Sequence, residues 1–379
     1  MSPAGHPNKK RSEIQLRLLV SAGGTGGGVY PALAVVDALG RQAEVLWVGS
    51  EGGMEASLLS RVGQDFQSIP AAGVHGVGLR ALPGNLARLA RGVPAARRIV
   101  KDFDPDVVFF TGGFVGVPVA LAARGVPKAI FVPDIEPALA LRMISKIADV
   151  ITVSTDKSLA FYARGKRTVV TGYPTRAALA DIDRARARHQ LGLAGREKVL
   201  LVFGGSRGAR SINEALWSCL PKLLERMIVL HITGHLDWPR VDGILETISP
   251  RLRENYRVHA YLHDEMPLAL AAADLVVSRS GAATIGEYPL LGLPAILVPY
   301  PYAWRYQKVN ADYLVDAGAA VSLADEDLSV KLLPAILNLL DDPDQLAAMR
   351  DAMKKLATPD AAQAIASELL QLGERGARA

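Results

Sequence analysis

Short apolar runs of strand length, most of them closed by glycine, recur along the chain and limit what it can fold into. In the first half they cover residues 16–21, 44–49, 106–111, 128–132, 150–154 and 168–172. Continuous apolar runs of this length suit strands buried on both faces. Helix-like stretches at 30–39 and 55–62 separate several of them. Alternating β and α units predict a doubly wound parallel sheet with helices on both sides. The second half repeats the plan at 199–203, 227–233, 256–261, 275–278 and 295–298.

The chain is therefore read as α/β, with two Rossmann-like sheets in two domains. Its 379 residues, half of them hydrophobic, suffice for two cores. A polar, basic tail over 1–15 precedes a first domain at 16–175, and a second follows at 176–357. The boundary falls in 173–197, where Pro174 interrupts the pattern and a charged run at 181–190 lacks a clear apolar face. That run, with Arg184, Arg186, Arg188 and His189, reads as a solvated linker helix rather than a nucleic-acid contact. Alanines and leucines at helical spacing in 358–379 predict a last helix that packs back on the first domain.

Charge is uneven. Residues 1–190 hold 24 Lys and Arg against 15 Asp and Glu, a net +9, and the remainder holds 19 against 23, a net −4. With only 6% aromatic residues, such asymmetry suggests a positive face toward anionic lipid or pyrophosphate rather than nucleic acid. The start lacks the apolar stretch of a secretory signal, and no run reaches the roughly 18 apolar residues of a spanning helix. A soluble or peripheral protein is expected. Cys219 is the only cysteine, so neither an internal disulfide nor a cysteine-based zinc site is expected.

Two glycine turns carry the first chemical signal. The strand ending at Val20 enters Ser21-Ala22-Gly23-Gly24-Thr25-Gly26-Gly27-Gly28-Val29-Tyr30-Pro31, and a helix follows. The second half opens alike, with Phe203-Gly204-Gly205-Ser206-Arg207-Gly208-Ala209-Arg210. Glycines bring backbone amides close to a ligand, and a helix start attracts negative charge, so both turns point to phosphate. Neither contains the Gly-Lys-Ser or Gly-Lys-Thr step of a P-loop, and neither has the acidic residue of a dinucleotide fingerprint in place.

A third constellation, Ser278-Arg279-Ser280-Gly281-Ala282-Ala283-Thr284-Ile285-Gly286-Glu287, follows another strand. Its amides and small hydroxyls suit phosphates, and a carboxylate one turn into the helix suits a pair of ribose hydroxyls. A capped helix start with a solvated glutamate is the alternative.

With these blocks and the later Gln307 and Asn310-Ala311, the chain resembles the bacterial MurG family, the family-28 glycosyltransferases that add N-acetylglucosamine to lipid I, undecaprenyl-pyrophosphoryl-muramoyl-pentapeptide. The resemblance spans about residues 16–320. It implies a GT-B fold, two Rossmann-like domains facing across a cleft, with the acceptor in the first and UDP-N-acetylglucosamine in the second. It implies that Thr25, Gly26 and Gly27 border the reacting pyrophosphates, and that Arg176 and Ser206 contact the donor. His263 would lie where the family's backbone reads uracil. Ala282, Ala283, Thr284, Ile285, Gly286 and Glu287 would cradle the α-phosphate and ribose, and Gln307 would meet the transferred sugar. No cofactor is implied, and cell-wall assembly proteins are conceivable partners at the cytoplasmic face of the membrane.

The chain departs from the family pattern on the acceptor side. Gly28 stands where the family has a histidine proposed as catalytic. Phe131-Val132-Pro133-Asp134 replaces His-Glu-Gln-Asn, Tyr173 replaces a common Asn, and Tyr306 replaces one of a pair of Gln. A base must then come from elsewhere: Asp134 is the first candidate, Glu136 the second and His75 the third. No Asp-x-Asp pair suggests a metal site, so helix starts and Arg176 are expected to receive the leaving charge. Interleaved leucines and arginines over 79–91 are the expected membrane contact. Competing readings are a glycosyltransferase with another lipid acceptor, a nonhydrolysing UDP-N-acetylglucosamine 2-epimerase, and a noncatalytic UDP-sugar binder.

Overall fold

The computed structural model describes residues 16–23, 26–73, 80, 82–193, 195, 197–205, 208–302 and 306–376. It divides into two units, Met1–Arg176 with Asp360–Ala379, and Ala177–Pro359. Each has its own sheet.

The first unit holds β1 (Leu16–Ser21), β2 (Ala43–Ser50), β3 (Phe66–Ile69), β4 (Val107–Phe110), β5 (Lys128–Val132), β6 (Val150–Val153) and β7 (Thr168–Val170). Their order across the sheet is β3-β2-β1-β4-β5-β6-β7, all parallel. The central strands are buried along their whole length, because helices cover both faces. Helix α1 (Gly26–Leu39) follows β1, α2 (Met54–Arg61) follows β2, and α3 (Leu82–Phe103) precedes β4.

The second unit holds β8 (Val199–Phe203), β9 (Ile228–Ile232), β10 (Tyr256–His259), β11 (Leu275–Ser278), β12 (Ala295–Leu297) and β13 (Ala320–Ser322). Their order is β10-β9-β8-β11-β12-β13, again all parallel. Apolar periodicity did not reveal β3 and β13. Both are edge strands: β3 leaves Gln67 and Ser68 exposed, and β13 is three residues long.

Two connections have tertiary causes. Helix Ala361–Gly376 lies in the first unit against α1 and β4, burying Ile365, Ala366, Leu369 and Leu372. Its Gly373 admits a close approach, since a Cβ there would stand 2.6 Å from Leu16 Cδ1. Arg167 of the strand β7 end donates to Glu368 at 2.5 Å. Residues 184–190 form a helix, but the solvated-linker expectation fails. Ala187 is fully buried, Arg188 Nη2 donates to Asp274 Oδ2 at 2.7 Å and Arg184 to the other oxygen. Asp274, just before β11, also accepts from Val199 N at 2.8 Å, so one carboxylate fastens this helix to two strands.

In each sheet the strand order runs outward in both directions from one central pair, β1 with β4 and β8 with β11. The pairing is in register at the strand ends, Ser21 beside Phe110 and Phe203 beside Ser278. Connections leaving such a pair diverge to opposite faces, and a crevice opens at the carboxyl ends. Among the described residues no helix is long and apolar enough to cross a membrane.

Candidate active site

Glycine turns stand at the switch point of both units. In the first, the turn after β1 meets a second turn, Thr111-Gly112-Gly113, after β4. Gly113 has φ +82°, and a Cβ there would come 2.7 Å from Gly23 O. Thr111 donates its hydroxyl to Gly28 O at 2.7 Å and its amide to Ser21 O at 3.3 Å. Gly28 is buried in the first turn of α1. The β4 turn carries the same sequence signal, paired glycines directly after an apolar strand, but was not among the turns singled out from the sequence.

The other first-unit candidates follow strands of the same sheet, Asp134 and Glu136 after β5 and Arg176 after β7. Asp134, two residues after β5, is half-buried. Glu136 is 3% exposed and accepts from Arg142 Nη2 at 3.3 Å, which turns its carboxylate toward a structural partner. Arg176 places its guanidinium over the Tyr30 ring, 5.0 Å from the centroid, so it faces α1. Tyr173 is buried edge-on to Phe131. Gly26 and Gly27 open α1. Thr25, His75 and Ser206 lie outside the described residues.

In the second unit the turn after β8 is tight. Gly208 has φ +78°, and a Cβ on it would stand 2.4 Å from Thr233 O. Gly208 N donates back to Gly205 O at 2.9 Å. Under it lies a buried polar chain. Asn213 Nδ2 donates to Thr233 O and Asp237 Oδ2, both at 2.9 Å, and the His231 ring bridges Asn213 Oδ1 at 3.0 Å and Tyr256 OH at 2.8 Å. Burial pushes the His231 pKa down to about 3, so the ring is neutral and one nitrogen donates while the other accepts.

Beyond β11 part of the expected anion cradle bonds within its own turn. The helix begins at Thr284, and the amides of Thr284, Ile285, Gly286 and Glu287 already donate to carbonyls of 281–283 at 2.8–3.1 Å. The Thr284 hydroxyl donates to Gly281 O. Among the described residues, the amides of Gly281, Ala282 and Ala283 donate to no carbonyl. These three, at the positive end of the helix, are the ones left for a phosphate. Glu287 sits half-buried one turn in.

Two ties shape this turn. Ser280 donates its hydroxyl to Gln307 O at 2.7 Å and accepts from Asn310 Nδ2 at 3.2 Å. Asn310, fully buried, therefore has a structural share in the Gln307 and Asn310-Ala311 motif. The Gln307 side chain accepts the Tyr300 amide at Oε1, 2.9 Å, leaving its NH₂ to donate elsewhere. Arg279 pairs with Asp325 at 2.5 Å and places its charge over Tyr300. His263 is exposed, its ring 4.5 Å from that of Tyr261, which stacks on His235 at 5.8 Å. Among the described residues no three His, Cys, Asp or Glu side chains gather as a metal site.

The expected membrane segment is only partly exposed. In α3, Leu86 is 52% exposed but Leu82 and Leu89 are half-buried; residues 79 and 81 lie outside the described set. A clearer stripe, missed in the sequence, runs through Leu139, Met143 and Ile147, exposed by 40%, 49% and 49%, with exposed Arg142 and Lys146 beside it. Leu139 and Met143 stand one above the other on the helix Leu139–Ile144, and Ile147 lies in the turn after it.

Two doubly wound units, each with glycine turns at its switch point, are the plan of a GT-B glycosyltransferase. The chain belongs to glycosyltransferase family 28: residues 18–152 match the family's N-terminal domain and residues 199–365 its C-terminal domain. It is 40% identical, over 93% of its length and 94% of the relative's, to the UDP-N-acetylglucosamine–N-acetylmuramyl-(pentapeptide) pyrophosphoryl-undecaprenol N-acetylglucosamine transferase of Roseiflexus sp. (strain RS-1). The crystal structure of MurG from Acinetobacter baumannii superposes with a TM-score of 0.72 at 27% identity, over 94% of this chain and 99% of that one. A UDP-N-acetylglucosamine 2-epimerase from Neisseria meningitidis shares the fold alone, with a TM-score of 0.66 at 15% identity over 94% and 100% of the two chains.

Proposed function

We propose that this chain transfers N-acetylglucosamine, with inversion, from UDP-N-acetylglucosamine to lipid I, giving lipid II for peptidoglycan synthesis. The observation that carries the reading is the 40% identity, over nearly the whole of both chains, to a relative of that name. In this reading the first unit takes the acceptor and the second the donor. The acceptor hydroxyl attacks the anomeric carbon, its proton passes to the Asp134 carboxylate, and the C1–O bond to UDP breaks with its electron pair on the β-phosphate. Half-buried Asp134, two residues after β5, is the base in this reading, ahead of the buried Glu136. The amides of 281–283, at the positive end of their helix, stabilise the diphosphate as it leaves. Glu287 holds the ribose and Gln307 the sugar.

The enzyme works as a peripheral protein at the cytoplasmic face of the membrane, the source of its acceptor. The stripe Leu139, Met143 and Ile147, with Leu86, enters the lipid surface while Arg142, Lys146 and Arg88 meet anionic headgroups. A second reading, transfer to a different lipid acceptor, draws on Phe131 and Tyr173, which replace polar family residues at the acceptor side. One assay decides: purified protein with radiolabelled UDP-N-acetylglucosamine and either a short-chain lipid I analogue, diacylglycerol or no acceptor. Labelled lipid II analogue is expected. Transfer to diacylglycerol alone would establish the second reading, and conversion of donor without acceptor would overturn both.

A further inference from the structure

Arg279 follows β11 directly, two residues ahead of the amides left for a phosphate, and its side chain is 9% exposed. A guanidinium in that place would suit a phosphate. Its hydrogen bonds go to the protein instead. Nη1 donates to Asp325 Oδ1 at 2.5 Å, to Val298 O at 3.2 Å and to Pro299 O at 3.4 Å. Nη2 donates to Ser211 Oγ at 2.9 Å, and the Ser211 hydroxyl donates to Asp325 Oδ1 at 2.8 Å.

Arg279, Ser211 and Asp325 thus close a ring. Ser211 lies in the first turn of the helix Arg210–Leu224 after β8, Asp325 opens the single helical turn Asp325–Asp327 after β13, and Val298 and Pro299 follow β12. Segments that follow four strands of the second sheet therefore meet on one guanidinium. A rigid planar fork can serve several acceptors at once where an ammonium cannot. Asp325 neutralises it, and without that partner a nearly buried charge would stand uncompensated.

We propose that Asp325 is a positioning residue for choosing the donor sugar, acting through Arg279. The proposal rests on the reading that the amides of 281–283 take the donor's phosphate and Gln307 its sugar. Held by Asp325, the Arg279 side chain fixes the start of the turn 279–283 against the end of β12. The next residue, Ser280, ties the same turn to Gln307 O and Asn310. Together the two ties set the distance from phosphate to Gln307. A sugar whose hydroxyls match that distance is held, whereas an epimer leaves a polar partner unmet. Without the Asp325 carboxylate the guanidinium is drawn to the other anion at hand, the donor's diphosphate, so the nucleotide stays bound while the sugar loses its register.

The test uses Asp325→Asn, which keeps the size and removes the charge, and Ser211→Ala, which removes one hydroxyl of the ring. Transfer is measured with UDP-N-acetylglucosamine and with its C4 epimer, UDP-N-acetylgalactosamine. UDP affinity is measured by calorimetry, and hydrogen exchange is followed in the peptide over 278–288. Asp325→Asn is expected to lower the ratio of the two kcat/KM values at least fivefold and Ser211→Ala at least twofold, with UDP bound as tightly as in the parent or more so. Exchange in 278–288 should speed up while that in 361–376 stays as in the parent. A merely structural role would lower both kcat/KM values by one factor or lower Tm alone. An unchanged ratio in folded Asp325→Asn, or in Ser211→Ala should the first variant not fold, overturns the proposal, as does a loss of UDP affinity that matches the loss of transfer. If the parent transfers neither sugar, the functional reading fails instead, and the exchange measurement still decides whether Asp325 holds the turn.

Discussion

The rings of Phe131 and Tyr173 stand edge-on, centroids 5.8 Å apart at 71°. Both occupy positions where the family pattern is polar; Phe131 lies in β5 and Tyr173 three residues after β7, with β6 between the two strands. Edge-to-face aromatic pairs contribute about 0.5–1.5 kcal/mol beyond the area they bury. Phe131→His and Tyr173→Asn should each destabilise the protein, and the double variant should lose about 1 kcal/mol less than the two single losses added. Urea unfolding of the four proteins measures that coupling; simple additivity would mean that the two rings do not support each other.

Asp134→Asn should lower kcat by about 10²–10⁴, the usual range for loss of a general base, with UDP affinity unchanged. Amide for carboxylate preserves size, so the loss would belong to proton transfer. Turnover at the parent's level removes Asp134 from the mechanism.

In the proposed reading Gln307 serves two partners, the Tyr300 amide and the transferred sugar, and two substitutions separate them. Gln307→Glu keeps an oxygen for the Tyr300 amide but loses the NH₂ donor, so kcat/KM for the donor should fall about tenfold at near-parental Tm, the worth of one hydrogen bond of about 1.4 kcal/mol. Gln307→Ala loses both contacts and should fall further. Equal kinetics for parent and Gln307→Glu would show that the amide NH₂ does not reach the sugar.

His231 gives stability a pH dependence of known sign. Its folded pKa is pushed down to about 3 from 6.5 by burial, so between those values the unfolded chain binds a proton that the folded chain refuses. The contribution is complete above about pH 6.5 and is lost as pH falls, by about 1.4 kcal/mol per unit. Unfolding free energies at pH 7, 6 and 5 should show this slope, and His231→Gln should flatten it.

Gly113 combines φ +82° with a contact that a methyl would violate. Gly113→Ala should cost about 1–3 kcal/mol and depress transfer, since the turn after β1 must shift. Parental Tm and activity would show that the two turns are not packed so closely.

The strand and helix pattern of both sheets was legible because buried parallel strands must be apolar along their length. The glycine turns were legible because only glycine lets backbone fold so closely against backbone. Edge strands β3 and β13 were not, since half-exposed strands carry weak patterns. The family resemblance pointed to Glu287 and Gln307 as site residues, but not to the amides of 284–287 being spent within their own turn, which depends on where the helix begins.

Sequence by itself determined two doubly wound sheets and the glycine turns that follow their strands, for these are local consequences of side-chain size and polarity. Only tertiary structure decided which turns stand together, Gly23 on Gly113. It also decided that the arginines of 184–190 belong to Asp274 and that the apolar stripe from Leu139 to Ile147 is left uncovered. Such pairings join residues far apart in the chain, and a contact between distant segments leaves no periodic trace in either one.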